Sequence, residues 1–248
     1  MIAKFIVLKP PKSSKMNKTL GIVGGLGTET SCSFCFSVNQ QVKKSSADQP
    51  HIIMDNVPVP KEVERAIAHG KHSPEMGLLL EDSVRRLNQS GASLIVIPCN
   101  TVHVFIDKLR EQSTVPILSI IEETANECVK LGFQKVGILA SSTTTKQKLY
   151  EKKLGEKKIK LLTPNDREQE FLSGCIVKIL NNRLEKEDKQ KIIEILERLQ
   201  KNGAEAIILG CTDLFLAVKP EDVTLPLINS TAILENSVIK WFLQNEEK

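Results

Sequence analysis

The sequence predicts an α/β protein of two similar halves related by a pseudo-twofold, with the active cleft between them. Three observations carry this. Short aliphatic runs alternate with helical patterns along the chain, the signature of parallel sheets covered by helices. The stretch GASLIVIPCNT (Gly91 to Thr101) recurs as GAEAIILGCTD (Gly203 to Asp213) without a gap, so Cys99 falls on Cys211. The match extends outward, with LGIVGG paired to VGILAS and VPIL (115–118) to LPLI (225–228).

Taken in order, Thr19–Val23 reads as a strand that enters a glycine-rich turn, Gly24-Gly25-Leu26-Gly27. The following helix carries Cys32, Phe34, Cys35, Phe36 and Val38 and ends near Lys44. A short strand at His51–Met54 precedes helices at about Lys61–His69 and Pro74–Gln89. Ser73 is placed to cap the second of these, and Pro74 suits its first position. The run Leu94–Ile97 is aliphatic and bounded by turn residues, as expected of a buried parallel strand. A helix from about Val102 to Glu111 and a strand at Pro116–Ile120 complete the half.

The second half opens with a strand at Val136–Leu139 that closes in the hydroxyl turn 141–144. A strand at Ile159–Leu162 and a helix at Glu170–Leu180 follow. Lys186–Lys201 is amphipathic, with Ile192, Ile195, Leu196 and Leu199 at helical spacing. The second cysteine strand, Ala206–Leu209, leads through a short helix to a strand at Leu225–Ile228 and a last helix from Thr231 to about Leu243.

Bulk properties narrow the function. A formal net charge of +4, with one Trp and one Tyr, gives neither the basic patch nor the stacking platform of a nucleic-acid binder. No apolar run approaches the roughly 20 residues that span a bilayer. Residues 1–18 read as a flexible N-terminal arm, with Pro10, Pro11, Ser13 and Ser14 and no signal-peptide core; Met16 is an alternative start. A cytoplasmic address is expected, with the six cysteines as reduced thiols.

The chemistry centres on Cys99 and Cys211. Each sits just past the carboxyl end of its strand, where open α/β sheets place their ligands. A thiol ahead of a helix N-terminus has its pKa lowered by the dipole. Thr101 and Thr212 follow, and with backbone N–H groups they suit a carboxylate. Two thiols on opposite sides of one carbon can take a proton from one face and deliver one to the other, inverting a stereocentre. Cys128 and Cys175 lie in helical patterns and are expected in the core, as are Cys32 and Cys35, whose C-x-x-C lacks a partner pair. A metal site of Cys99, His103, Cys211 and Asp213 is the lesser alternative, since the usual zinc spacings are absent. His51, His69 and His72 are expected at the surface or an edge. From Gly25 the glycine turn runs G-x-G-x-x-T, a weak dinucleotide signal with Asp48 ahead of the next strand; a turn admitting a small substrate close to the main chain, at Gly25, fits equally. A nicotinamide-dependent dehydrogenase and a non-catalytic small-ligand binding protein therefore stay open on the residues alone.

Three blocks, GIVGGLGTETS (21–31), IPCNTVHVF (97–105) and LGCTD (209–213), resemble the aspartate/glutamate racemase family of cofactor-independent amino-acid racemases. The resemblance runs from Lys18 to the end. It implies two domains with four-stranded parallel sheets, their last strands exchanged: 19–115 plus 225–248, and 116–224. It implies Cys99 and Cys211 as the acid/base thiols of a racemase without cofactor or metal. Asn100, Thr101, Thr212 and Asp213 are then substrate contacts, with Ser141 and Thr144 adding to the carboxylate site. An amino-acid substrate and a homodimer are further implications; a cysteine-dependent isomerase or decarboxylase of the same superfamily is the alternative. The chain departs from the pattern at Thr28, where proline is usual, and at Asp213, where glutamate is usual. The arginine that family aspartate racemases direct at the side-chain carboxylate aligns with Glu62 by its proline, or with Arg65 by distance to Cys99. The accompanying lysine aligns with Asn181. The side-chain pocket is thus the least determined part of the site.

Overall fold

A computed structural model describes residues 18–244, apart from 47, 69, 72, 181, 182 and 213; for 64, 65, 68, 180 and 216 it describes the backbone alone. The first half supplies strands β1 (Thr19–Gly24), β2 (His51–Asn56), β3 (Leu94–Val96) and β4 (Ile117–Leu118), and the second β5 (Lys135–Ala140), β6 (Lys160–Leu162), β7 (Ala206–Gly210) and β8 (Leu227–Asn229). They form two four-stranded sheets, ordered β2-β1-β3-β4 and β6-β5-β7-β8, with every pairing parallel. The cysteine strands β3 and β7 therefore hold equivalent places, as the duplicated stretch requires.

The Gly-Ala opening of each copy has a local cause. Helix α3 (Pro74–Gln89) and helix α9 (Lys186–Lys201) run into Gly91 and Gly203, whose φ angles are 81° and 92°. Gly91 N–H reaches Asn88 O at 3.1 Å and Ala92 N–H reaches Leu87 O at 3.1 Å; Gly203 and Ala204 repeat this with Gln200 O (2.8 Å) and Leu199 O (3.0 Å). This paired bonding stops a helix on a left-handed residue, where glycine is least strained. The duplicated stretch is thus a helix stop, a strand and the cysteine-bearing loop in one piece. Ser73 caps α3 as expected, accepting from Met76 N–H at 3.4 Å.

Strand alternation distributes the core. Leu20, Ile22, Leu94 and Val96 of the first sheet, and Val136, Ile138, Ala206 and Ile208 of the second, point into one shared central core. It is filled from helices α1 (Thr28–Ser45), α5 (Ile120–Lys130), α7 (Leu149–Glu156) and α10 (Ser230–Leu243), through Phe34, Val38, Ala125, Leu154, Leu234 and Phe242 among others. The intervening residues face outward: Ile95 and Ile97 meet α3 and α4 (Ile106–Gln112), while Ile207 and Leu209 meet α8 (Asp166–Leu180) and α9.

This arrangement corrects the expected exchange of strands at 115/116 and 224/225. β4 pairs with β3 and β8 with β7, so each strand stays in the sheet of its own half. A helical crossover returns the chain most readily to a neighbouring parallel strand. What crosses is the next helix: α5 and α10 pack on each other, α5 also on α7 of the second half, and α10 also on α1 of the first. Three smaller expectations change as well. Lys18, assigned to the flexible arm, is tied by its ammonium to Trp241 O and, at 3.3 Å, to Phe242 O; residues 1–17 lie outside the description. The hydroxyl turn at 141–144 opens a short helix, α6 (Ser142–Lys146). The helix after Cys99 begins as a 3-10 turn, Thr101–Phe105, and becomes α-helical only in α4.

Candidate active site

Cys99 follows β3 across Pro98, which has no N–H to continue the ladder. Its own N–H turns back to Ile97 O at 2.8 Å. Its carbonyl accepts a bond from His103 Nδ1 at 2.8 Å, one turn ahead, while His103 Nε2 accepts Ile120 N–H at 3.3 Å. The two partners fix one neutral tautomer, protonated at Nδ1. His103 is 2% exposed, and burial pulls its pKa down to about 4; the nearby Arg110 acts in the same direction, while the Cys99 carbonyl and Glu122 oppose it. Both ring nitrogens are committed to the backbone, so His103 has no lone pair for the metal site considered above. Its role is to brace the Cys99 loop against the first turn of α5.

Behind that brace, Arg110 of α4 grips Glu122 of α5 through Nη1 at 3.0 Å and Nη2 at 2.7 Å, and Lys153 of α7 adds a contact at 3.1 Å. The Arg110 bonds, helped by Lys153, hold the Glu122 carboxyl down at about 2.

Asn100 is 2% exposed and joins the halves. Its Oδ1 accepts from Tyr150 OH at 2.7 Å, and its Nδ2 donates to Ser230 Oγ at 3.1 Å. Ser230 Oγ in turn donates to Leu209 O at 2.9 Å, two residues before Cys211. A second junction lies among hydroxyls. Thr101 Oγ1 and Ser141 Oγ are 2.9 Å apart, and Ser141 Oγ and Thr144 Oγ1 3.1 Å. Ser141 also caps α6, accepting from Thr144 N–H at 3.3 Å. The structure thus brings Thr101 of one half onto Ser141 and Thr144 of the other. Thr212 is buried beside Cys211, and Asp213 lies outside the described residues.

Cys99 and Cys211 are each half-buried, and neither is in a disulfide. Past Cys211 comes another 3-10 turn, Leu214–Leu216. The chain after each cysteine thus opens as a 3-10 turn, which after Cys99 continues directly into α4. The remaining cysteines separate cleanly. Cys128 and Cys175 are in the core, where burial pushes their pKa values up to about 12 and about 11. Cys32, expected in the core, is exposed: Ser31, Phe34, Val38 and Val42 form the buried stripe of α1, and Cys32 lies off it. Cys35 packs partly against the central core, and burial, with Cys32 nearby, raises its pKa.

The glycine turn is explained by packing. Gly25 has φ 85°, and a Cβ there would lie 2.2 Å from Val57 O. Gly25→Ala is expected to cost at least about 2 kcal/mol, from the left-handed backbone and from overpacking. Gly27, at φ 70° but with its nearest neighbour, Thr30 Oγ1, at 3.5 Å, should lose only the conformational part. Urea unfolding of both alanine variants checks the ordering, and equal losses would refute it. The dinucleotide signal loses its basis, because a chain contact accounts for the glycine.

Of the side-chain pocket residues, Glu62 is exposed on α2 (Lys61–Ala68), the side chain of Arg65 on the same helix is outside the description, and so is Asn181. His69 and His72 fall outside it too, whereas His51 lies at the surface with Nδ1 3.0 Å from Thr19 Oγ1. Tyr150 and Ser230, which meet Asn100 from distant segments, are contacts the sequence reading did not anticipate; the one hint is that Tyr150 is the chain's single tyrosine.

The family model described as Asp/Glu/Hydantoin racemase matches residues 23–238. The broad specificity amino-acid racemase RacX of Bacillus subtilis is 27% identical over 230 residues, covering 90% of this chain and 98% of that protein. A candidate Asp/Glu racemase from Yersinia pestis superposes with a TM-score of 0.82 at 28% identity, over 92% of this chain and 100% of that one. An aspartate racemase homologue from Pyrococcus horikoshii gives 0.75 at 29% identity, over 91% and 99%.

Proposed function

This chain belongs to the Asp/Glu/Hydantoin racemase family and is an amino-acid racemase that works without pyridoxal phosphate; from that premise we propose that Cys99 and Cys211 are its two acid/base thiols. The carrying observation is that both cysteines close equivalent strands of equivalent sheets, β3 and β7, at one gapless offset in the sequence. One thiolate removes the α-proton, forming S–H as Cα–H breaks. The other thiol protonates the opposite face of the resulting carbanion. In the reverse direction the roles swap. Thr101, Ser141, Thr144 and Thr212, with the loop N–H groups around Gly25, receive the α-carboxylate. Asn100 offers its second Nδ2–H to the substrate, and Asp213 is a further substrate contact.

The side-chain pocket, on this reading, does not demand a carboxylate. Supporting this are the acidic Glu62, which alignment by the proline puts in place of the family's arginine, and the neutral Asn181 in place of its lysine, since like charges at close range disfavour each other. The broad specificity named for the Bacillus subtilis relative is in keeping. A homodimer in the cytoplasm belongs to the same reading; among the described residues no helix is long and apolar enough to cross a membrane.

The test is a panel of amino acids incubated with the protein in D₂O, read by proton NMR and chiral chromatography. Neutral or basic amino acids should racemise at least as fast as aspartate. A strong preference for aspartate would reject the open pocket and make Arg65 the residue that reads the side-chain carboxylate.

A further inference from the structure

Inversion by two thiols requires more of a protein than either thiol alone. Each sulfur must approach the same carbon, from opposite faces, within the few tenths of an ångström that proton transfer tolerates. Here the two cysteines ride on loops from different sheets, so something must set one loop against the other. The backbone cannot, because Cys99 and Cys211 are separated by more than a hundred residues of chain.

We propose that Tyr150 is a positioning residue which, through Asn100 and Ser230, holds the Cys99 loop in register with the strand that carries Cys211. The inference rests on the two-thiol reading above. Its geometry is a directed chain of bonds. Ser230 spends its only hydroxyl proton on Leu209 O at 2.9 Å, so its oxygen can only accept, and Asn100 must present Nδ2 to it at 3.1 Å. That fixes the amide with Oδ1 toward Tyr150, whose hydroxyl donates at 2.7 Å. Reversing the amide would break the bond to Leu209. The orientation of Asn100, next to one thiol, is therefore dictated by a carbonyl two residues before the other.

Burial makes the chain stiff. Tyr150 is 1% exposed, Asn100 2% and Ser230 0%, so no member can substitute water for a lost partner. Burial also raises the pKa of Tyr150, against the opposing pull of the nearby Thr124 and Ser230 hydroxyls, and keeps it a neutral donor. Its ring sits in the central core that both sheets share, on α7, while Ser230 begins α10. The network is thus anchored at one end to α10, which crosses between the halves, and at the other to α7, on which the crossing helix α5 packs.

The prediction concerns partitioning. When the loops are in register, a carbanion made by one thiol is quenched by the other. When they are not, the first thiol more often returns a solvent-derived proton to the same face, so exchange occurs without inversion. Tyr150→Phe removes the donor with almost no change of volume, and Ser230→Ala cuts the chain at its other end. In the full-length protein, each should lower kcat in both directions about 10- to 100-fold, with KM changed less than about threefold. Deuterium found in recovered substrate, per inversion event, should rise in D₂O. The double variant should fall by less than the product of the singles, because both break one chain.

A merely structural role would lower the melting temperature and the folded fraction, leaving the exchange-to-inversion ratio of the folded enzyme unchanged. That result, or a wild-type kcat in either folded variant, or fully multiplicative losses, overturns the proposal. If Tyr150→Phe does not fold, Ser230→Ala carries the same readouts. Failure of the underlying reading shows separately, in the unaltered protein, as α-proton exchange from one enantiomer only.

Discussion

Cys99→Ser and Cys211→Ser are each expected to lose racemisation by roughly 10³-fold or more, because a hydroxyl is a far weaker acid than a thiol and cannot be the base near neutral pH. The loss alone would not establish two bases, since any essential cysteine gives it. The discriminating observable is what the surviving thiol still does. With one base left, the enzyme can deprotonate only the enantiomer whose α-proton faces that sulfur. Deuterium uptake at the α-carbon, measured separately from L and D substrate, should therefore persist for one enantiomer in each variant, and the two variants should choose opposite ones. Cys128→Ser and Cys175→Ser serve as controls. Both thiols are buried with their pKa values pushed up by desolvation, out of reach of a role as base. Per folded molecule, their turnover should be near normal. Two variants that act on the same enantiomer, or either one with full racemisation, would remove the two-base mechanism.

The parts of this site that were legible in the sequence are those encoded locally. Gly91-Ala92 and Gly203-Ala204 are helix stops whose bonds span five residues, so their composition reports them directly. The alternation in Leu94-Ile95-Val96-Ile97 and Ala206-Ile207-Ile208-Leu209 likewise announces strands with two buried faces. From those pieces the equivalence of Cys99 and Cys211 follows. What was not legible depends on contacts between distant segments. Tyr150 meets Asn100 across 50 positions and Asn100 meets Ser230 across 130, and no periodicity records such a meeting. The exchange of strands failed for a related reason. Residues 115–118 and 225–228 match each other, but a match cannot say whether strand or helix crosses between halves. Only the packing of α5 against α10 answers that. Cys32 differs from its expected core position because the buried stripe of α1 runs through Ser31, Phe34, Val38 and Val42, which brings Cys35 to its edge and leaves Cys32 outside.

The His103 brace makes the fold acid-sensitive in a window that can be named. In the unfolded chain a histidine titrates near 6.5, whereas in the folded protein burial holds His103 at about 4. Its folded pKa is lowered, and its neutral form is the one that binds, donating from Nδ1 to Cys99 O and accepting at Nε2 from Ile120 N–H. Between these two values the unfolded state carries more protons than the folded one, so stability rises with pH there. The contribution is fully present above about 6.5 and is lost as pH falls toward 4, amounting to about 3 kcal/mol at the acid end. Other groups titrate in or near this range. Glu235 works in the opposite sense, since burial raises its carboxyl, and Glu122 weakens the fold only at lower pH, on the way to about 2. A single acid titration would mix all of them, so the comparison is with His103→Asn. Asparagine can donate to the Cys99 carbonyl but carries no titratable ring, and it forfeits the Ile120 contact. At pH 7.5 the variant should be less stable by about 1–3 kcal/mol, the cost of a buried bond unmade and a partly emptied site. Between pH 6.5 and 4.5 the unaltered protein should lose stability faster, and the gap measured by urea unfolding should narrow or close. A gap that stays constant across that interval would mean that His103 does not resist protonation in the folded state, and that the neutral brace behind Cys99 is wrong.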